Sequence, residues 1–236
     1  IIKGYTMKST LLYSVIFLIL GCSMSTNNPI DQKNNNYTNN NPFFEKSELY
    51  MGFPPFDLIK NDHYMPAFLK GMTEHLKEID LIINNEEKPT FDNTIIAMEM
   101  SGQLLDRVAT VFYALTSANT NDEMEKIRAE IAPKLSAHSD KILLNAKLFK
   151  RIEEIYKNRE SIGLDDESAL LVKKYFVDFV RSGSQLSSEE KERLKSINSK
   201  ISVLQTNFSQ NILKEVNALA VTVDNRKRSE EHTSEL

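Results

Sequence analysis

Between Met65 and Phe208 the large apolar residues keep returning at steps of three and four, and this spacing commits the chain to packed α-helices. Met65, Phe68, Met72, Leu76, Ile79 and Ile83 define a first helical face, which Asn84-Asn85 and Pro89 bring to an end. Asn93 or Thr90 can cap a second helix carrying the stripe Ile95, Met98, Leu105, Val108, Phe112 and Leu115, and Ser117 to Asn121 follow as a polar turn. A third stripe, Met124, Ile127, Ile131 and Leu135, contains Pro133, which removes a backbone donor and clashes one turn back, so a kink or a split is expected there. Leu148, Ile152 and Ile155 mark a shorter helix, and Leu171, Tyr175, Phe176, Phe179 and Val180 another. The last helix opens on a capping box, Ser187 with Glu190, in which each side chain meets a free backbone N–H at the helix start. Its heptad-like seam, Leu194, Ile197, Ile201, Leu204 and Phe208, is suited to packing on a neighbour and is expected to open at Asn211. Beyond it the β-branched run from Ala218 to Val223 predicts a short extended segment near the C-terminus.

Composition agrees with an all-α body. Glycine, which loses the most backbone entropy on ordering, supplies only 7 of 236 residues. The net charge of −4 offers no basic stripe of the kind a nucleic acid would need. With Cys22 as the one cysteine, neither an internal disulfide framework nor a cysteine-rich zinc site can form.

Both ends read as something other than the folded body. Met7-Lys8 followed by the apolar run Leu11 to Leu20 makes a secretory signal over residues 7–21, too short to span a bilayer. With Met7 as the start, residues 1–6 are in-frame translation from upstream of the gene. Cys22, directly after Ile19-Leu20-Gly21, resembles the acylated cysteine of a bacterial lipobox, with Leu20 where a small residue is more usual. This predicts lipidation at Cys22 and an exported, membrane-anchored protein of the periplasm or cell envelope. Residues 22–41 then form a tether, since eight of the fifteen residues from Asn27 to Asn41 are asparagine, a composition that cannot offset its own ordering entropy. The helical body is expected over residues 42–227. The closing stretch 228–236, Arg-Ser-Glu-Glu-His-Thr-Ser-Glu-Leu, is what translation of a common sequencing-library adapter yields, which removes His232 from biological consideration.

Discounting His232 leaves His63, His75 and His138, none of them in His-Glu-x-x-His, the spacing that sets two imidazoles and a glutamate base around zinc. His75 and Glu78 lie three apart and are expected to form a solvated surface pair. His138 and Asp140, two apart, point to different sides of a helix and suit capping or packing. There is no nucleophile elbow and no glycine-rich phosphate loop. The residues themselves assign no catalytic and no metal-binding side chain, and they describe a scaffold.

Several short stretches, taken in order, do carry a resemblance. Asn41-Pro-Phe-Phe44, Pro54-Pro-Phe-Asp57, Pro89-Thr-Phe-Asp-Asn-Thr94, Leu115-Thr-Ser-Ala-Asn-Thr-Asn121, Ala132-Pro-Lys-Leu135, His138-Ser-Asp140, Asp178-Phe-Val-Arg181 and the helix from Ser202 to Asn211 are similar to the N-terminal lobe of the peptidyl-dipeptidase and oligopeptidase family of zinc metallopeptidases, relatives of thimet oligopeptidase. The resemblance runs from about Asn41 to about Asp224. It implies a two-lobed, mostly helical parent with a deep channel that admits short unstructured peptides. It also implies zinc held by His-Glu-x-x-His and a further glutamate, all in a C-terminal half that this sequence lacks. The fragment would thus be inactive alone and would contribute channel wall. Asn119-Thr-Asn121 and Ala137-His-Ser-Asp140 fit the branch that removes dipeptides from peptide C-termini better than the endopeptidase branch. The competing expectation is a freestanding helical lipoprotein that binds or scaffolds without catalysis.

Overall fold

The computed structural model describes residues 41–219, and these form an all-α body. A short 3-10 turn, Tyr50–Gly52, precedes α1 (Asn61–Ile83). A π-helical turn, Phe91–Ile96, leads into the single turn α2 (Ala97–Glu99) and then α3 (Gln103–Ala118). The chain continues through α4 (Asp122–Leu143), α5 (Ala146–Asn158), α6 (Asp166–Arg181) and the long α7 (Ser188–Ala218).

Five of the starts follow a side-chain cap written in the sequence, whereas α2 and α3 begin without one. Asn121 Oδ1 accepts from the backbone N–H of Glu123 and Met124, Asn145 Oδ1 from Lys147 and Leu148, and Asp165 Oδ1 from Ser168. Ser187 and Glu190 close the expected reciprocal box, with Glu190 Oε2 accepting from Ser187 N–H at 2.9 Å. Thr90 and Asn93 do the same at the π-turn, so Thr90 is the cap and Asn93 its partner.

Two local expectations are corrected. The stripe from Ile95 to Leu115 belongs to two elements, because the chain turns at Gly102 with φ +73 before α3 begins. The stripe itself survives the break: Ile95 and Met98 enter one core cluster, Leu105, Val108 and Phe112 the other. Pro133 does not split its helix. Residues on either side of it, Ile131 and Ile142, are anchored in different clusters, and this tertiary burial outweighs the local proline penalty of about 3 kcal/mol. Helix α7 continues through Asn211, the position at which the apolar seam is expected to open, to Ala218, and ends with Leu219 in a turn. The extended segment expected over Ala218 to Val223 thus loses Ala218 to the helix, and Val221 and Val223 lie outside the described residues. Outside them too lie Cys22, the signal stretch 7–21, most of the tether and the adapter-like tail. Asn41, placed by composition at the tether's end, is buried, with Nδ2 donating to His63 O at 2.8 Å and Oδ1 accepting from Phe43 N–H.

The apolar side chains separate into two clusters along the helices. The first joins Phe43 to the N-terminal half of α1, to α3 and to the start of α4, with Tyr64, Phe68 and Phe112 meeting edge to face. The second joins the C-terminal end of α1, the π-turn and the end of α4 to α5 and α6. Arg151 ties this second half together. Its buried guanidinium donates to Thr94 Oγ1, Asn93 Oδ1, Asn85 O and Glu87 O, fixing the loop after α1 onto α5. Among the described residues no helix is long and apolar enough to cross a membrane.

Candidate functional site

Of the three histidines among the described residues, His63 takes a local role at the start of α1, where its Nδ1 accepts from Lys60 N–H at 3.1 Å. The other two meet. His138 Nε2 lies 3.0 Å from His75 Nδ1, across the packing of α4 on α1 and 63 positions apart in sequence. The pair sits where the two clusters adjoin: Met72 and Ile131 precede it in the first, Ile79 and Ile142 follow it in the second. The surface pairing expected of His75 and Glu78 is therefore overturned. His75 is drawn inward by His138, while Glu78 Oε2 accepts from Gly102 N–H at 2.6 Å and pins the turn between α2 and α3. Gly102 is required there twice over. Its φ is in the left-handed region, and a Cβ would stand 2.9 Å from His75 Nδ1.

The tautomers follow from the partners. His138 Nδ1 is buried without a hydrogen-bond partner among the described residues, and a buried lone pair is cheaper to leave unmet than a buried N–H. His138 thus carries its proton on Nε2 and donates it to His75 Nδ1. Burial, then the neighbouring His75 and Lys141, pushes the His138 pKa down to about 4, so the ring is neutral near pH 7. Burial also lowers His75, against the opposing pull of Glu78. Two neutral imidazoles bonded to each other are a packing device, and the lone pair left over on His138 Nδ1 is buried.

Asp140, the other residue marked in the sequence, is buried on the side of α4 that meets α7, and its Oδ1 accepts from Asn198 Nδ2 at 2.7 Å. Around this contact α4 and α7 stand apart over a cavity of 510 Å³, lined by Ser136, Ser139, Leu143, Asn198 and Ser202 and flanked by exposed Arg181. Among the described residues no group of three or more His, Cys, Asp or Glu could hold a metal ion. Sequence inspection missed the His75–His138 contact and the Arg151 staple altogether. A single apolar-patterned helix gives no sign of which polar residue on another helix will face it.

No family model matches the chain. Individual relatives do. The dipeptidyl carboxypeptidase of Salmonella typhimurium is 42% identical over 184 residues, which cover 78% of this chain and 27% of the relative. Its counterpart in Escherichia coli is 42% identical over 176 residues, 75% of this chain and 26% of the relative. Oligopeptidase A of Escherichia coli is 23% identical over 173 residues, 73% of this chain and 25% of the relative. The chain spans about a quarter of the length of the curated relatives it matches. An order of short motifs, an all-α body carrying them, and this similarity converge: the chain belongs to the peptidyl-dipeptidase and oligopeptidase family.

Proposed function

We propose that the polypeptide of which this chain forms a part is a zinc-dependent peptidyl-dipeptidase that removes dipeptides from the C-termini of short peptides, and that residues 41–219 supply scaffold and channel wall. The observation that carries this is the gap in similarity, 42% to the two relatives named dipeptidyl carboxypeptidase against 23% to one named oligopeptidase A over comparable spans. It favours the exodipeptidase branch. The described residues do not fit a zinc site: His75 and His138 bond to each other, and among the described residues no third ligand stands beside them. The zinc ligands and the reacting groups therefore belong to the part of the parent that this chain does not span. The full-length parent is expected to release dipeptides from a short peptide with a free C-terminus, and to stop when a chelator strips its metal. Cleavage of internal bonds alone, or a rate indifferent to the chelator, overturns this function.

Export with acylation at Cys22 is the second part of the proposal, and it rests on the stretch Met7 to Cys22. In a bacterial host fed a fatty-acid probe, label on the chain is expected to disappear with Cys22→Ser. Label that persists in the variant, or never forms on the original, removes the lipid anchor.

A further inference from the structure

Helix α7 uses its surface in an unexpected way. It is 31 residues long, and its one buried residue is Thr206. Its hold on α4 is polar: Asn198 donates to Asp140, Gln210 Nε2 donates to Glu125 O at 2.9 Å, and Ser202 and Gln205 line the cavity left between the two helices. Of the apolar seam read from the sequence, Leu194 and Ile201 border that same cavity, while Ile197, Leu204 and Phe208 lie outside it. Ile197, Leu204, Phe208 and Ile212 are 42%, 65%, 66% and 47% exposed, and Leu219 at the helix end is 70% exposed. At about 100° per residue these side chains fall on one stripe, turned roughly a quarter of the way round from the face that meets α4. An amphipathic helix normally turns its apolar stripe inward. Here the mostly polar flank has been docked and the stripe from Ile197 to Leu219 left outside over about six turns.

We propose that this stripe is the interface through which the chain joins the remainder of its own family's polypeptide, an apolar helical face within the three quarters of the relatives' length that this chain does not span. Two observations select that occupant. The matched relatives are about four times longer than the region they share with this chain. The stripe also runs to Leu219, at the C-terminal end of α7, the last helix among the described residues. The inference rests on family membership and not on the activity proposed above.

The test is co-expression of the full chain with the part of the Escherichia coli dipeptidyl carboxypeptidase that lies outside the matched region, followed by affinity capture. The paired substitution Leu204→Lys with Phe208→Lys is compared with Leu170→Lys, an equally exposed leucine on α6 that serves as control. The original chain and the control are expected to capture the remainder, and the paired variant to bind it about tenfold more weakly or worse, with unchanged helical circular dichroism. Capture insensitive to the paired substitution overturns the proposal, as does failure of the original chain to capture the remainder. So does a homodimer in size-exclusion chromatography that the paired substitution dissolves, because the occupant is then a second copy. A captured complex that releases no dipeptides keeps the interface and counts against the peptidase function alone.

Discussion

His138 is where a single protonation reaches furthest into the fold. Its folded pKa of about 4 lies below the usual 6.5, so the unfolded chain takes up the proton first as pH falls. The stability that neutral His138 supplies is complete above pH 6.5 and is lost as pH drops towards and through 4. That shift corresponds to a loss on the order of 3 kcal/mol. His75 and Glu78 on α1 and Lys141 on α4 are the charged or titratable groups acting on the pair, and of these only Glu78 favours protonation. Urea melts at pH 7 and pH 4.5 should show this loss, and His138→Gln should flatten it while lowering stability at pH 7. Equal slopes in the two proteins would place the acid sensitivity elsewhere. Arg151 offers a second test at this scale. Arg151→Met removes four hydrogen bonds from a buried site and should cost about 2–4 kcal/mol in a denaturant melt. Arg151→Lys should recover only part, because an ammonium cannot reproduce the planar fork.

At the scale of elements, the close approach of α1 to α3 depends on two glycines. A Cβ at Gly71 would stand 2.9 Å from both the Cα and the backbone N of Leu105, and backbone atoms cannot swing aside as a side-chain tip can. Gly71→Ala should force the helices apart and destabilise by about 1–3 kcal/mol. Gly102→Ala should cost a similar amount for a different reason: left-handed backbone strain added to collision with His75, about 1–3 kcal/mol together. Thermal melts followed by circular dichroism would check both. Gly52, also at positive φ but with open space around it, is the comparison that should lose little more than the backbone term.

Across the whole molecule, apolar burial is concentrated in α1 and α3 to α6, and α7 stands largely outside it. Local opening requires few buried contacts to be given up there. Hydrogen exchange of the isolated chain should show α7 amides exchanging well before those of α1 and α4, and a partner on the Leu204–Phe208 stripe should slow them. Uniform protection along all helices would mean that the polar contacts to α4 suffice. The exposed stripe should also bind a hydrophobic dye, with binding reduced by Phe208→Lys.

What the sequence by itself determined was the helical class, most caps and most of the residues that turn inward, since these depend on periodicity and on side chains within one turn of each other. Ser187–Glu190, Asn121 and the stripe through Tyr64-flanking Met65, Phe68 and Met72 are local facts, readable along the chain. Family membership was legible too, in short motifs whose order carried more than any one of them. Only the tertiary structure decided that Pro133 leaves its helix whole, that His75 turns to His138 instead of to solvent beside Glu78, and that Arg151 gathers a loop 57 to 66 positions away. It also decided that α7 docks by its polar flank. A seam in a sequence states that a surface wants burial, and it does not state which neighbour will arrive first. Partner choice is a contest between distant surfaces, settled by shape and charge in three dimensions, and no spacing along one helix records its outcome.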